Sequence, residues 1–161
     1  MDFHSVYLRY AKDVHRFALH LSGNAAQADD LTSEAFLRLW TASSDIRLPT
    51  VKAYLFAIVR NLYRTNLRDV RRAAPLEDEH ASPGPSAEES VVSRSELSRL
   101  VAALAHLPEV DRAAVLMRAQ GDMSYDDISQ ALGISVAAAR VKVHRARLRL
   151  AELCAKSGGE Q

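Results

Sequence analysis

The sequence predicts an all-α protein made of two small helical domains that are joined by a flexible acidic linker. Apolar residues recur at steps of three and four along both halves of the 161-residue chain, and no segment alternates with period two, so no sheet is expected. Proline, glycine and acidic residues concentrate between the halves, where neither a helix nor a strand can continue. We therefore expect domains at residues 1–73 and 86–161 and a linker at 74–85, with a surface loop within one domain as the alternative.

The first domain is predicted to contain three helices. The first of them ends at the Ser22–Asn24 cluster, and the second carries acidic residues in its first turn, where they suit the helix dipole. The third runs from about residue 51 to residue 72. The residues expected to face the core are Val6, Tyr10, Val14, Phe17 and Leu21 in the first helix; Leu31, Phe36, Leu37 and Trp40 in the second; and Tyr54, Leu55, Ile58, Leu62 and Leu67 in the third.

The second domain is predicted to contain four helices. A capping box at Ser86–Glu89 precedes an apolar-periodic run, and Pro108 begins a further helix that ends near Gly121. Ser124 is expected to cap a short helix that stops at Gly133, and Ser135 to cap the last helix. The apolar positions of the run are Leu97, Leu100, Val101 and Leu104, and those of the last helix are Val136, Ala139, Val143, Ala146, Leu150 and Leu153.

A net charge of +1 conceals an uneven distribution of charge. Residues 1–73 carry +4, residues 74–100 carry −4, and residues 101–161 carry +1. A single cysteine, Cys154, argues against a disulfide scaffold and a cysteine-rich zinc site. The N-terminus has no signal-peptide pattern, and the longest apolar run (53–59) is much shorter than the roughly 20 residues that span a bilayer, so a cytoplasmic location is expected.

The last two helices and their glycine-containing turn predict a helix-turn-helix. Its second helix is cationic on its outer side, with no acidic residue between Ser135 and Glu152. The outer stripe is Arg140, His144 and Arg147, and the adjacent flank is Lys142, Arg145 and Arg149. Such a cluster can neutralise phosphates and contact guanine edges in the major groove, which favours DNA binding over an ordinary solvated face.

The third helix carries a second cationic stripe, which favours nucleic acid less strongly than the first. The stripe consists of Arg60, Arg64, Arg68 and Arg71, with Arg72, Asn61 and Asn66 nearby. A solvated helix face is the alternative interpretation.

Four strings in this order resemble the bacterial extracytoplasmic-function (ECF) sigma factors of the sigma-70 family. Ala28–Leu31 with Glu34–Trp40 resembles the core helix of sigma region 2, and Ala53–Leu62 resembles the helix that contacts the minus-10 promoter element. Leu104–Arg112 is similar to the start of region 4, and Ser124–Arg147 is similar to its helix-turn-helix. The resemblance covers nearly the whole chain.

The resemblance implies a transcription initiation factor that binds core RNA polymerase, at the β′ clamp helices and the β flap, and directs it to promoters. It implies no catalysis and no cofactor, an anti-sigma factor as a partner, and a linker in the RNA-exit path. The residues it assigns to polymerase binding are Asp30, Glu34, Phe36 and Arg38. It assigns Arg60, Asn61, Arg64, Arg68, Arg47 and Asp45 to the minus-10 element, the last two in the loop Ser43–Thr50. It assigns Arg140, Val141, Lys142, His144, Arg145, Arg147 and Arg149 to the minus-35 element.

The chain departs from the family pattern in a few places. Ser33 stands where glutamine is usual, Ala137–Ala139 replaces a more polar segment, and Val141 replaces serine. The Ser33 departure concerns a polymerase contact, and the other two concern which minus-35 bases are read; none of them concerns the fold. The alternative function is a stand-alone helix-turn-helix regulator that does not dock on polymerase. A metal enzyme is disfavoured, because the six histidines lack the spacing of helical ligands.

Overall fold

The computed structural model describes residues 2–42, 50–73 and 91–158, and these residues form seven α-helices without a strand. The helices are α1 (Phe3–Ser22), α2 (Ala25–Thr41), α3 (Val51–Ala73), α4 (Val91–Ala105), α5 (Glu109–Ala119), α6 (Tyr125–Leu132) and α7 (Val136–Gly158). The all-α prediction is thus confirmed. The predicted linker 74–85, the capping box Ser86–Glu89 and residues 43–49 of the predicted minus-10 loop lie outside the described residues.

Helices α1, α2 and α3 pack against one another around an aromatic and aliphatic core. Phe17 of α1 stacks on Phe56 of α3, with ring centroids 4.5 Å apart, and both side chains are fully buried. The turn between α1 and α2 needs only two residues. Gly23 adopts φ 69° and ends α1, and the Asn24 side chain accepts a 2.8 Å hydrogen bond from the Gln27 N–H to start α2.

Helices α4 to α7 form a second group, in which α7 packs on α4, α5 and α6. The inner face of α7 is small and aliphatic, because its central residues Ala139, Val143 and Ala146 are fully buried. Leu150 packs against the same core at the helix's outer end. The apolar periodicity therefore predicted the buried face of this helix correctly.

The helix-turn-helix has the local geometry that its sequence predicts. The Ser124 hydroxyl accepts a 3.1 Å hydrogen bond from the Asp127 N–H, and the Ser135 hydroxyl accepts a 3.0 Å bond from the Ala138 N–H. Between these caps Gly133 adopts φ 69°, a left-handed conformation that favours glycine. Both predicted N-caps and the predicted stop are confirmed.

The two helical groups pack directly against each other, which the sequence did not predict. Helix α1 contacts α4 and α5, and α3 contacts α6. Gly121, just after α5, lies so close to the Phe56 ring that an added Cβ would stand 2.8 Å from its Cε2 atom. We call this packing of α1–α3 against α4–α6 the closed arrangement.

Helix α2 exposes two residues that were predicted to be buried, and α3 buries more residues than predicted. Leu37 and Trp40, expected in the core, are 55% and 60% exposed. Helix α3 is buried around more of its circumference than predicted, because the second helical group covers one side of it. The buried positions of α3 are Ala53, Leu55, Phe56, Ala57, Val59, Arg60 and Tyr63. No helix in the described part of the chain is both long enough and apolar enough to cross a membrane.

Candidate nucleic-acid interface

The outer side of α7 presents a row of exposed basic residues together with the exposed aliphatic residues Val141 and Leu148. Arg140, Val141, His144, Arg147 and Arg149 are all exposed. All of them lie on one helix, whose start is fixed by the Ser135 cap, so they are held on a rigid element. This is the arrangement that a helix needs to enter a DNA groove.

Arg140 is positioned by an aromatic ring at the start of α6. Its guanidinium carbon lies 5.4 Å from the centroid of the Tyr125 ring, and that of Arg118 lies 4.5 Å from the same centroid. Arg118 is itself anchored, because its Nη1 donates a 2.8 Å hydrogen bond to the Met123 carbonyl. A ring shared by two guanidiniums ties the first cation of α7 to the preceding helix.

Two other predicted DNA contacts, Arg145 and Lys142, are paired with Asp111 at the start of α5. Arg145 donates from Nε to Oδ2 at 2.9 Å and from Nη2 to Oδ1 at 3.2 Å, and the Lys142 Nζ atom lies 3.7 Å from Oδ1. The hydrogen bonds to Asp111, and next its negative charge, raise the pKa of Arg145 above its ordinary value. Among the cations of α7, Arg145 is thus bound to Asp111 although its side chain is 58% exposed, and the half-buried Lys142 lies beside the same carboxylate.

The cationic stripe on α3 is partly withdrawn from solvent. Arg60 is only 4% exposed and donates from Nε and Nη2 to the two carboxylate oxygens of Glu109, at 2.9 and 2.8 Å. Arg64 is half-buried, with its Nε 3.7 Å from Glu109 Oε1, whereas Arg68 and Asn61 are exposed. In the closed arrangement the first cation of the predicted minus-10 stripe is therefore bound to the other helical group.

Four charged side chains of the predicted cationic stripe and minus-10 loop are not described by the structure. Asp45 and Arg47 lie outside the described residues, as do the side chains of Arg71 and Arg72.

Further polar contacts join the two helical groups around the Arg60–Glu109 pair. Lys52 Nζ donates to the Gly121 carbonyl at 3.1 Å, and Arg112 Nη1 donates to the Leu21 carbonyl at 3.0 Å. A hydrogen bond also joins the His20 ring to the Gln120 side chain. Each of these contacts pairs groups that lie more than 65 positions apart in sequence.

His20 is a buried titratable group in this contact. Burial is the main cause that lowers its pKa below the ordinary value of 6.5, the hydrogen bond with Gln120 acts in the opposite direction, and the charge of Arg16 lowers it further. His20 is therefore neutral near pH 7 in the closed arrangement.

The predicted polymerase-binding residues do not all lie on the surface of α2. Asp30 and Arg38 are exposed, and Arg38 Nε lies 3.6 Å from Glu34 Oε1 in the next turn. Phe36, in contrast, is 3% exposed, and packs edge-on against Tyr7 with ring centroids 5.0 Å apart. The large apolar residues that α2 exposes are Leu37 and Trp40.

Sequence reasoning missed the two carboxylates that organise both cationic stripes. Glu109 and Asp111 stand in the first turn of α5, where a sequence analysis treats them only as complements of the helix dipole. The sequence does show two acidic residues, Glu109 and Asp111, at a predicted helix start in a chain rich in cations, which indicates that they could form ion pairs. It does not say which cations they contact.

Replacing Glu109 with glutamine tests the ion pair between the helical groups. The variant removes the carboxylate that binds the buried Arg60 guanidinium, and breaking a buried ion pair in this way costs about 3 kcal/mol. We expect the closed arrangement to loosen, so that small-angle scattering of the variant gives a larger radius of gyration. The matched control Glu152→Gln removes an exposed carboxylate of α7 and should leave the radius unchanged. Equal radii for Glu109→Gln and the wild type would show that the pair does not hold the two groups together.

The lowered pKa of His20 predicts a pH-dependent stability. As the pH falls, the unfolded chain takes up the histidine proton near 6.5 while the folded chain resists it, so the contribution of His20 destabilises the fold below about pH 6.5. Thermal unfolding of the wild type and of His20→Gln between pH 7.5 and 5.5 measures this effect. The wild-type midpoint should fall more steeply with acidification than that of the variant, and parallel curves would contradict the assignment.

Comparisons with known proteins agree with these two helical groups. Residues 6–73 match the sigma-70 region 2 family and residues 97–150 match sigma-70 region 4. The chain is 34% identical to the ECF RNA polymerase sigma factor EcfG of Rhodopseudomonas palustris, over 89% of this chain and 80% of that one. It is 33% identical to the ECF sigma factor SigE of Mycolicibacterium smegmatis, over 94% of this chain and 61% of that protein.

A solved structure agrees as well. The sigma factor RpoE of Bartonella quintana, in complex with the anti-sigma factor NepR, superposes with a TM-score of 0.80 over 95% of this chain and 96% of that chain, at 26% identity. The match extends across both helical groups. The sequence relatives and the two family matches cover the same regions in the same order, and together they show that the chain belongs to the ECF sigma factors of the sigma-70 family and functions as a transcription initiation factor, not as a stand-alone helix-turn-helix regulator.

Proposed function

We propose that this chain docks on core RNA polymerase through the exposed face of α2. It reads the minus-35 element with α7, and it reads the minus-10 element with α3 and the loop that precedes α3. It acts by binding alone, without catalysis or a cofactor. The observation that carries the proposal is the exposed cationic face of α7, held by a capped helix-turn-helix inside the segment that matches region 4.

Arg140, His144 and Arg147 are the side chains that we place in the major groove at minus-35. They step four and three residues along α7, so they share one face, and all three are exposed. Arg140 and Arg147 have the planar fork that binds guanine edges or phosphates, and Arg149 extends the cationic face toward the DNA backbone. Val141 adds an exposed apolar contact that suits a thymine methyl group.

The minus-10 surface is completed only when the closed arrangement opens. Arg68 and Asn61 are exposed already, whereas Arg60 is bound to Glu109 and Arg64 lies beside the same carboxylate. Separation of the helical groups would free Arg60 and Arg64 for promoter phosphates, next to the loop that carries Asp45 and Arg47. Capture of flipped minus-10 bases then has to repay an unstacking cost of a few kcal/mol.

Docking on the β′ clamp helices is proposed for the face of α2 that carries Asp30, Glu34 and Arg38. Leu37 and Trp40 add an apolar centre to this charged surface, which is the composition of a protein-binding site. Phe36 supports the surface from below, because its ring is buried against α1. Region 4 would contact the β flap, and the acidic linker 74–85 would follow the RNA-exit path.

An anti-sigma factor is the proposed regulatory partner. The similarity to a sigma factor held by NepR extends over both helical groups, and the closed arrangement keeps Arg60 from DNA. An anti-sigma factor that binds across both groups would stabilise that arrangement, and release would return the chain to polymerase in the cytoplasm, at the nucleoid.

Run-off transcription with core polymerase and a promoter library tests this function. We expect promoter-specific initiation by the wild type, and a loss of about tenfold for Arg140→Ala on promoters with a minus-35 element, since one forked arginine contact contributes about 1–3 kcal/mol of discrimination. Arg9→Ala, an exposed cation of α1, is the matched control and should initiate normally. No promoter-specific initiation on any template would refute the function, and an unchanged Arg140→Ala would refute the assignment of α7.

A further inference from the structure

Asp111 is a buried carboxylate that contacts the recognition helix. It is 2% exposed, in the first turn of α5, and its two oxygens take hydrogen bonds from Arg145 Nε and Nη2 at 2.9 and 3.2 Å. Lys142 Nζ lies 3.7 Å from the same group. Asp111 thus contacts two cations of α7. Their side chains lie on the flank of the helix next to the exposed stripe of Arg140, His144 and Arg147.

The geometry of this contact constrains the rotation of α7. Moving a carboxylate out of water is costly, so the buried Asp111 requires a closely matched cation. The guanidinium of Arg145 meets it through a two-point planar fork, which fixes direction as well as distance. The buried residues on the inner face of α7 are Ala139, Val143 and Ala146, whose contacts are non-directional.

We propose that Asp111 is a positioning residue for promoter reading. By holding Arg145, it sets the rotation of α7 so that Arg140, His144 and Arg147 face the minus-35 bases. By occupying Arg145 and Lys142, it also keeps two cations from unspecific phosphate contacts. The inference rests on the proposed role of α7 at minus-35.

This role makes Asp111 a determinant of specificity rather than of raw affinity. Each cation that contacts a phosphate steepens the salt dependence of DNA binding by about one unit of slope, whatever the sequence. A carboxylate that keeps two cations away from phosphates therefore lowers non-specific DNA binding. It also keeps Arg140, His144 and Arg147 oriented toward the bases.

The test uses the full chain assembled with core polymerase and labelled duplex promoter DNA. Binding is measured by fluorescence anisotropy over a range of salt concentrations, with an intact and with a scrambled minus-35 element. For Asp111→Asn we expect the ratio of the two affinities to fall about tenfold, and the slope of log affinity against log salt to steepen by one to two. Asp2→Asn, which removes a carboxylate far along the chain from α7, should change neither quantity.

Arg145→Lys is a second variant. It keeps the positive charge beside Asp111 but cannot form the two parallel hydrogen bonds of the guanidinium. It should lower the affinity ratio without changing the salt slope, and it carries the test if Asp111→Asn does not fold. Unchanged discrimination in the folded variants would overturn the proposal. An equal loss of affinity on both DNAs with the wild-type slope would also overturn it, since that is the signature of a purely structural residue. A wild type that does not discriminate between the DNAs would instead refute the minus-35 role of α7.

Discussion

The buried ion pair between Arg60 and Glu109 is the contact on which the closed arrangement depends. A guanidinium removed from water needs a carboxylate at hydrogen-bonding distance, and within the described residues Glu109 meets it with both oxygens. Other contacts between the groups fit around this pair, among them Phe56 against Gly121 and Lys52 on the Gly121 carbonyl. If the groups separated, water would solvate Arg60, and a promoter phosphate would have the charge and the geometry to take the place of Glu109.

The same physical device appears twice in the first turn of α5. Glu109 holds a cation of α3, and Asp111 holds a cation of α7. Because both carboxylates belong to one helical turn, α5 connects the two helices that we propose to contact DNA. Each carboxylate neutralises one charge of a cationic stripe, so part of the positive charge of both stripes is balanced within the fold.

The features that could be predicted from the sequence are those whose causes are local. Ser124, Gly133 and Ser135 act on neighbouring residues, so the helix-turn-helix could be derived position by position. The exposed stripe of Arg140, His144 and Arg147 follows from helical spacing alone. Arg60 and Arg145 share the same spacing rules, but their partners lie 49 and 34 positions away, and no periodicity in the sequence points to them. The prediction that Leu37 and Trp40 face the core was wrong for another reason. An apolar residue gives the same sequence pattern whether it faces a core or a partner.

We propose that the two helical groups are closed in the free chain and separate on core polymerase. Spin labels on the exposed native Cys154 of α7 and on Ala26→Cys at the start of α2 report the distance between the groups by pulsed electron paramagnetic resonance. The free protein should give one narrow distribution at short distance, and addition of core polymerase should shift it to a longer distance. The same distribution in the free and the polymerase-bound protein would contradict the claim.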